Sequence, residues 1–178
     1  MNNLLIHVCC APCSSYVFEK LINDGFKLTG FFYNPNIYPV EEYEKRLKEL
    51  INFANIKKYK LIIKEDAQEK WFEAVKNFEQ EKEGGLRCEI CFRLRLEKTV
   101  LYARENNFDG FTTVLSVSPY KNAKLINQIG KELEKKYDIY FLEADFKKDN
   151  GFKRSLEISK EYGLYRQNYC GCKFSIKN

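Results

Sequence analysis

Short apolar runs alternate along this chain with longer stretches in which apolar and charged residues recur at helical spacing. Five runs rich in Ile, Val, Phe and Tyr predict β-strands, at residues 4–8, 28–33, 59–63, 111–115 and 139–142. The longer stretches predict helices, at residues 14–23, 40–55, 69–81, 88–106 and 123–136. Each helix is long enough to carry one strand over to a parallel neighbour.

This alternation predicts an α/β fold with an open, mainly parallel five-stranded sheet and helices on both faces. Right-handed crossovers give such a sheet the strand order 3-2-1-4-5, which reverses direction between the first and fourth strands. Ligands of these sheets bind beside the reversal, at the carboxyl ends of the strands. Residues 9–13, residues 116–122 and Asp145 leave those ends. We therefore expect the functional site at this edge.

The chain shows no internal repeat or low-complexity segment, so residues 1–178 are expected to form one domain. Its last segment, residues 149–178, holds a short helical pattern at 152–161 and then a polar tail. We expect this segment to fold back over the edge of the sheet that carries the site.

The composition is that of a folded protein, with 178 residues, 44% of them apolar and 31% charged. No stretch approaches 18 consecutive apolar residues, and the start MNNLLIHVCC lacks the basic region and cleavage site of a secretory signal. We therefore expect a cytoplasmic protein without a membrane span, in a compartment where thiols stay reduced. The seven cysteines then indicate metal or redox chemistry rather than a disulfide framework.

The first cysteine cluster follows the first predicted strand in the segment HVCCAPCSS. Cys9, Cys10 and Cys13 lie where Pro12 ends the strand, and one of the two following serines is expected to cap the next helix. The positive end of a helix lowers thiol pKa values and favours the thiolate that a metal requires.

The second cluster, Cys88 and Cys91, opens the longest predicted helix in a C-x-x-C spacing that sets both sulfurs on neighbouring positions of one face. Four thiolates from the two clusters are able to hold zinc or an iron-sulfur cluster. Because adjacent Cys9 and Cys10 suit a zinc knuckle poorly, we favour iron-sulfur.

Two further features bear on the chemistry. Cys170 and Cys172 flank one glycine, so they are able to form a strained, redox-active disulfide or to bind metal. His7, the only histidine, lies in an apolar strand and is expected to be a satisfied core residue. Phosphate-binding glycine loops are absent from the sequence.

Several unusual motifs occur in one order along nearly the whole chain, from Leu5 to Ser175: HVCCAPCS, YNPNIYP, GGLRCEICFRLRL, SPYKN and FKRSLEISKEYGLYRQNYCGCKFS. In these motifs the chain resembles the epoxyqueuosine reductase family of the QueH type. The resemblance implies a Rossmann-like (HUP-like) fold. It also implies an iron-sulfur oxidoreductase that acts on tRNA. Such an enzyme converts epoxyqueuosine at the anticodon wobble position to queuosine, the last step of queuosine biosynthesis, with electrons from an external donor.

The resemblance also implies ligands. A 4Fe-4S cluster would be held by Cys9, Cys10, Cys88 and Cys91, and the redox-active pair would be Cys170 and Cys172.

An adjacent mononuclear iron, bound by cysteines and an aspartate, is implied as well. For the aspartate we favour Asp145 in EADFKK, with Asp66 in reserve. The cysteines of that second site would come from Cys170, Cys172 and Cys13, so a disulfide and an iron site compete for the same pair.

Basic and aromatic side chains in the last segment are the expected contacts to the anticodon loop, since single-stranded loops are bound by stacking and by phosphate contacts. These residues are Lys147, Lys148, Lys153, Arg154, Tyr165 and Arg166. A solvated basic face over packed tyrosines explains them equally well. Two other functions also fit the cysteines: a zinc-stabilised RNA-binding module, and a thiol oxidoreductase that uses the CGC pair alone.

Overall fold

The fold is a twisted parallel sheet, described by a computed structural model for residues 2–65 and 68–176. Its strands are β1 (Asn3–Val8), β2 (Lys27–Phe32), β3 (Lys60–Ile63), β4 (Gly110–Thr113) and β5 (Tyr140–Phe141). They are all parallel and lie in the order β3-β2-β1-β4-β5, which confirms the predicted order. The reversal therefore lies between β1 and β4.

Helices cover this sheet in two groups. The described helices are α1 (Ala11–Asn23), α2 (Val40–Lys57), α3 (Gln68–Ala74), α4 (Leu86–Glu105), α5 (Ala123–Tyr137) and α6 (Gly151–Glu161). Helix α1 packs against α2 and α6, while α4 packs against α5 and against β1 and β4. Short 3-10 turns lie at Val114–Val117 and Lys173–Ser175. The predicted α/β fold is confirmed.

Strand β1 is the centre of the core. Its residues from Leu4 to Val8 are almost fully shielded from solvent because β2 and β4 flank it and helices cover both faces. His7 is part of this core and, as expected, is satisfied: Nδ1 lies 3.0 Å from the Thr113 hydroxyl. The strand ends directly at Cys9, so the first cysteine cluster is fixed by the most buried element of the fold.

Two predicted helix boundaries differ from the structure by three residues or more. Helix α1 begins at Ala11 rather than residue 14, because Cys10 is the N-cap and Pro12 fits the first helical turn. The two serines expected as caps instead donate to backbone carbonyls one turn earlier, Ser14 to Cys10 at 2.7 Å and Ser15 to Pro12 at 2.9 Å.

Helix α3 ends at Ala74, although the apolar pattern predicted a helix to residue 81. Asn77 takes the left-handed conformation, with φ of 74°, which a continuing helix does not allow. The chain then turns several times before α4 starts at Leu86. These turns place the second cysteine cluster beside the last segment of the chain.

The last segment lies across the carboxyl edge of the sheet and is held there by α2. Arg46, which is 1% exposed, donates to the carbonyls of Tyr169 and Cys170, each at 3.1 Å, and to the Glu42 carboxylate at 2.7 Å. The Tyr38 amide donates to the Gly171 carbonyl at 2.8 Å. Position 171 requires glycine because φ is +103° and an added Cβ would lie 3.0 Å from the Arg46 guanidinium.

We expect Arg46→Met to release this segment. The change removes both hydrogen bonds to the tail and leaves Glu42 without its partner, so the free energy of unfolding should fall by about 3 kcal/mol. Hydrogen-deuterium exchange should show faster exchange at the Tyr38 amide.

The matched control is Lys20→Met, which breaks a pair on α1 whose side chains are about half exposed. We expect this control to change stability by less than about 1 kcal/mol. We call the hydrogen bonds from Arg46 to the carbonyls of Tyr169 and Cys170 the clamp. Equal protection of the Tyr38 amide from exchange in Arg46→Met and in wild type would contradict this role of the clamp.

Candidate metal centre

Three thiols gather where β1 passes into α1. The sulfurs of Cys9, Cys10 and Cys13 all lie within 4.8 Å of one another. In the described part of the chain, this is the only trio of possible metal ligands that meets this distance. The sulfurs of Cys88 and Cys91 are not within 4.8 Å of all three sulfurs of this trio. The structure therefore brings Cys13, which had no primary role in the sequence prediction, next to two expected cluster ligands.

Hydrogen bonds link the sulfurs of this trio, and those of Cys9 and Cys10 lie 3.7 Å apart. The hydrogen bonds with Cys10 and Cys13 hold the pKa of Cys9 well below its ordinary value. The hydrogen bond with Cys13 lowers the pKa of Cys10, but the one with Cys9 and burial together raise it to about 12. A metal that binds these sulfurs would displace the protons that they carry.

The other four thiols line a second, narrower space, the inner cavity. Cys88 and Cys91 come from the first turns of α4, and Cys170 and Cys172 from the last segment. The Cys88 sulfur accepts from the Gly84 amide at 3.1 Å. Burial raises the pKa of Cys91, and it raises that of Cys172 to about 11, so both carry protons at neutral pH when no metal is bound.

Three buried polar atoms at the inner cavity have no hydrogen-bond partner among residues 2–65 and 68–176. They are Trp71 Nε1, Arg87 Nε and Asn36 Oδ1. An unpaired buried N–H is costly, and such a group in a native structure indicates a partner that binds there. Two unpaired N–H donors from residues that line the same cavity as four thiols suit a sulfur-rich anionic group. The donor set therefore fits an iron-sulfur cluster.

A larger outer cavity opens on the same edge and has a volume of about 460 Å³. Its wall includes Cys9 and Cys13 of the trio, Cys170 of the tail and the loop from Val117 to Lys121. Cys170 lines both cavities and so connects them. This volume lies in the range of small-molecule sites and accommodates one nucleoside.

The expected iron ligand Asp145 lies elsewhere. Its carboxylate pairs with Lys147 at 2.9 Å, and it lines neither cavity. The reserve choice, Asp66, lies outside the described residues. Cys170 and Cys172 are free thiols, and the Cys170 sulfur lies 3.0 Å from the Ser175 hydroxyl.

Of the six residues expected to contact RNA, three bond to carboxylates of the protein and three are exposed to solvent. Arg154 makes two hydrogen bonds to the Glu19 carboxylate, at 2.9 and 3.0 Å, and the Tyr165 hydroxyl donates to Glu42 at 3.0 Å. Lys147 is held by Asp145 as described above. The other three, Lys148, Lys153 and Arg166, are exposed.

Sequence reasoning missed four residues that shape the site. Gln167 donates to the Cys10 sulfur at 3.0 Å, and Tyr120 stands at the rim of both cavities with 82% of its surface exposed. Arg46 holds the tail, and Arg95 reaches Cys91. Two of them had a usable signal: Tyr120 lies in the segment 116–122 that leaves a strand end, and Arg95 follows Cys91 by four residues on one helix face.

A solved structure with a similar fold is that of a predicted subunit of a tRNA methyltransferase from Methanocaldococcus jannaschii. It superposes with a TM-score of 0.58 at 16% identity, over 89% of this chain and 75% of that one. At this identity the likeness bears on the fold alone. In the described residues, no helix is both long enough and apolar enough to cross a membrane.

Sequence relatives are much closer. A protein from Acinetobacter baylyi named Epoxyqueuosine reductase QueH is 43% identical over 178 aligned positions, which cover 99% of this chain and 82% of that protein. One of the same name from Thermotoga maritima is 41% identical over 179 residues, covering 99% of this chain and 91% of that protein. Residues 4–178 match the family described as Epoxyqueuosine reductase QueH. The expected resemblance is confirmed, neither alternative function is favoured, and the chain belongs to the epoxyqueuosine reductase QueH family.

Proposed function

We propose that this chain reduces the epoxide of epoxyqueuosine in the tRNA anticodon to the alkene of queuosine, in the cytoplasm and with electrons from an external donor. The observation that carries the proposal is the convergence of the cysteines. Six of them line two connected cavities at the carboxyl edge of the sheet, and Cys10 lies beside Cys9. A nucleoside-sized cavity next to this many thiols suits a redox reaction on a nucleoside.

The cluster ligands in this proposal are Cys9, Cys10, Cys88 and Cys91, which come from the starts of α1 and α4. When bound, a 4Fe-4S cluster supplies electrons one at a time. Of these four, Cys88 and Cys91 line the inner cavity beside the unpaired N–H groups, while Cys9 lines the outer cavity and Cys10 lies next to it. Cys13 is then left as a neighbour that hydrogen-bonds to ligands.

The wobble nucleoside occupies the outer cavity in this proposal. Its neighbours in the anticodon loop are unstacked, so they gain from an aromatic surface and from nearby cations. Tyr120 offers such a surface at the rim, and Lys121 lies next to it. The open cations Lys148 and Lys153 flank the start of α6, whose residues Phe152 and Ser155 line this cavity.

The reaction needs two electrons and two protons, because the carbon-oxygen bonds break, an alkene forms and the oxygen leaves as water. The dithiol of Cys170 and Cys172 balances this step when it forms a disulfide, since it gives up two electrons and two protons. Cys170 lines both cavities and is therefore placed between the cluster and the substrate. The external donor then restores the dithiol. An iron held by this pair and Asp145 is the competing arrangement.

The first prediction concerns the cluster ligands. Cys88→Ser should lose iron and acid-labile sulfide as fully as Cys10→Ser, because both sulfurs are ligands in the same cluster. Anaerobic iron and sulfide analysis measures this loss.

Cys13→Ser is the discriminating control and should keep the sulfide. Loss of sulfide in Cys13→Ser, with wild-type content in Cys88→Ser and Cys91→Ser, would show that the compact trio holds the cluster instead.

The second prediction concerns RNA binding. Removing Lys148 and Lys153 together, by substitution to Ala, should weaken binding of the anticodon stem-loop. The salt dependence should flatten by about 0.7 to 0.9 log units per lost phosphate contact. Binding measured over a series of salt concentrations gives this slope.

The matched control changes Lys27 and Lys60 to Ala, which removes the same charge at the amino ends of β2 and β3, on the opposite edge of the sheet. Equal slopes in the two double variants would place Lys148 and Lys153 on a solvated face without a role in RNA binding.

The third prediction separates the two roles of the CGC pair. If the pair is a redox dithiol, Cys172→Ser should abolish turnover and leave all iron in place. If it binds iron with Asp145, Cys172→Ser and Asp145→Ala should each lower the iron count while sulfide stays constant. We expect the first result, because Asp145 pairs with Lys147 and lines neither cavity. Full activity in Cys172→Ser would exclude both roles.

A further inference from the structure

Arg95 is a buried cation without an acidic partner. It lies on α4, one turn after Cys91, and only 3% of its surface is exposed. Its guanidinium donates to the Asn34 side-chain oxygen at 2.8 Å, to His7 Nε2 at 3.3 Å and to the Cys91 sulfur at 3.6 Å. In the part of the chain that the structure describes, it forms no ion pair with Asp or Glu. A buried charge in such surroundings is costly unless an anion lies nearby.

The other fully buried arginines show what compensation normally looks like in this fold. Arg46 pairs with the Glu42 carboxylate, and Arg87 donates to the carbonyls of Phe78, Glu79 and Glu81, the last two at 2.8 and 2.5 Å. The partners of Arg95 are a neutral amide, an imidazole and one sulfur. Of these three, the sulfur alone is able to supply a full negative charge when it binds metal.

The His7 imidazole supplies no negative charge to Arg95. Its Nε2 lies 3.3 Å from the Arg95 Nε, 3.2 Å from the Asn34 side-chain oxygen and 3.3 Å from the Tyr33 carbonyl. His7 and Asn34 therefore orient the guanidinium without neutralising it.

We infer that Arg95 is a positioning residue that donates to the Cys91 sulfur and supplies the counter-charge of the cluster, and so raises its midpoint potential. This inference rests on the proposed function. A cluster held by four thiolates is anionic, and its charge becomes more negative by one unit on reduction. A fixed cation beside a ligand sulfur favours the reduced state, since hydrogen bonds to the sulfurs and local charge set these potentials.

The test is a potentiometric titration of the anaerobically reconstituted protein, followed by electron paramagnetic resonance. One electron passes from reduced methyl viologen to the cluster, and Arg95 keeps its proton throughout. Arg95→Gln should shift the midpoint potential to a more negative value, and Arg95→Lys should remain near wild type. Iron release to a chelator should become about 10- to 100-fold faster in Arg95→Gln.

The matched control is Arg93→Gln, which removes the same charge from the same helix. Arg93 is partly exposed and pairs with Glu132 at 2.7 Å, so its loss should leave the potential unchanged. A second variant keeps Arg95 in place: Asn34→Asp sets a carboxylate against the same guanidinium and neutralises it. This change should shift the potential in the same direction as Arg95→Gln, and it covers the case in which Arg95→Gln does not fold.

The outcomes separate this inference from the proposed function. A wild-type protein without acid-labile sulfide would overturn the cluster and, with it, the role of Arg95. A wild-type cluster whose potential is unchanged in Arg95→Gln, or in Asn34→Asp, would overturn the role of Arg95 alone. Equal shifts in Arg93→Gln and Arg95→Gln would also overturn it, because the effect would then come from net charge and not from the contact to Cys91.

Discussion

The burial of β1 between β2 and β4 is the constraint on which the site depends. Its backbone pairs with β2 on one side and β4 on the other, and its side chains from Leu4 to Val8 are shielded on both faces, so the carboxyl end of the strand is held in one position. Cys9 and Cys10 follow at that end, and the reversal of strand direction leaves space above them. The start of α4 and the last segment reach the same space from positions far away in the chain. The rigidity of one strand therefore fixes where thiols from three segments meet.

The second feature that shapes the site is the positive charge of the arginines buried around it. Arg46, Arg87 and Arg95 are all buried near the thiols, and each has a different form of compensation. Arg46 uses a carboxylate and Arg87 uses peptide carbonyls, while Arg95 donates to the Cys91 sulfur. Buried cations of this kind favour thiolate over thiol and an anionic centre over a neutral one. The same positive surroundings suit the approach of a phosphate backbone from outside.

The strand order and the edge that carries the site could be predicted from the sequence, because both follow from local patterns. Alternating apolar runs and helical stretches leave few topologies, and the cysteines at positions 9, 10, 88 and 91 stand next to the predicted element ends. The trio of Cys9, Cys10 and Cys13 was harder to predict from the sequence, because it depends on α1 starting at Ala11. The clamp at Arg46 and the contact from Gln167 to Cys10 could not be predicted at all. They join residues more than 120 positions apart, and the hydrophobic pattern of a sequence gives no sign of such pairs.

The two cavities of the site differ in their exposure to solvent: the inner cavity is closed and the outer cavity is open. The inner cavity is narrow and lies among buried arginines and Trp71, which excludes water from the sulfurs that would carry electrons. The outer cavity opens to solvent beside Tyr120, and its volume of about 460 Å³ is large enough for a nucleoside. Cys170 belongs to both walls, and its position depends on the carbonyl that Arg46 holds. In the proposed function, Cys170 transfers electrons between the two sides and must stay fixed while RNA binds and leaves. The buried Arg46 side chain on α2 meets this requirement, because it holds the Cys170 carbonyl from within the core.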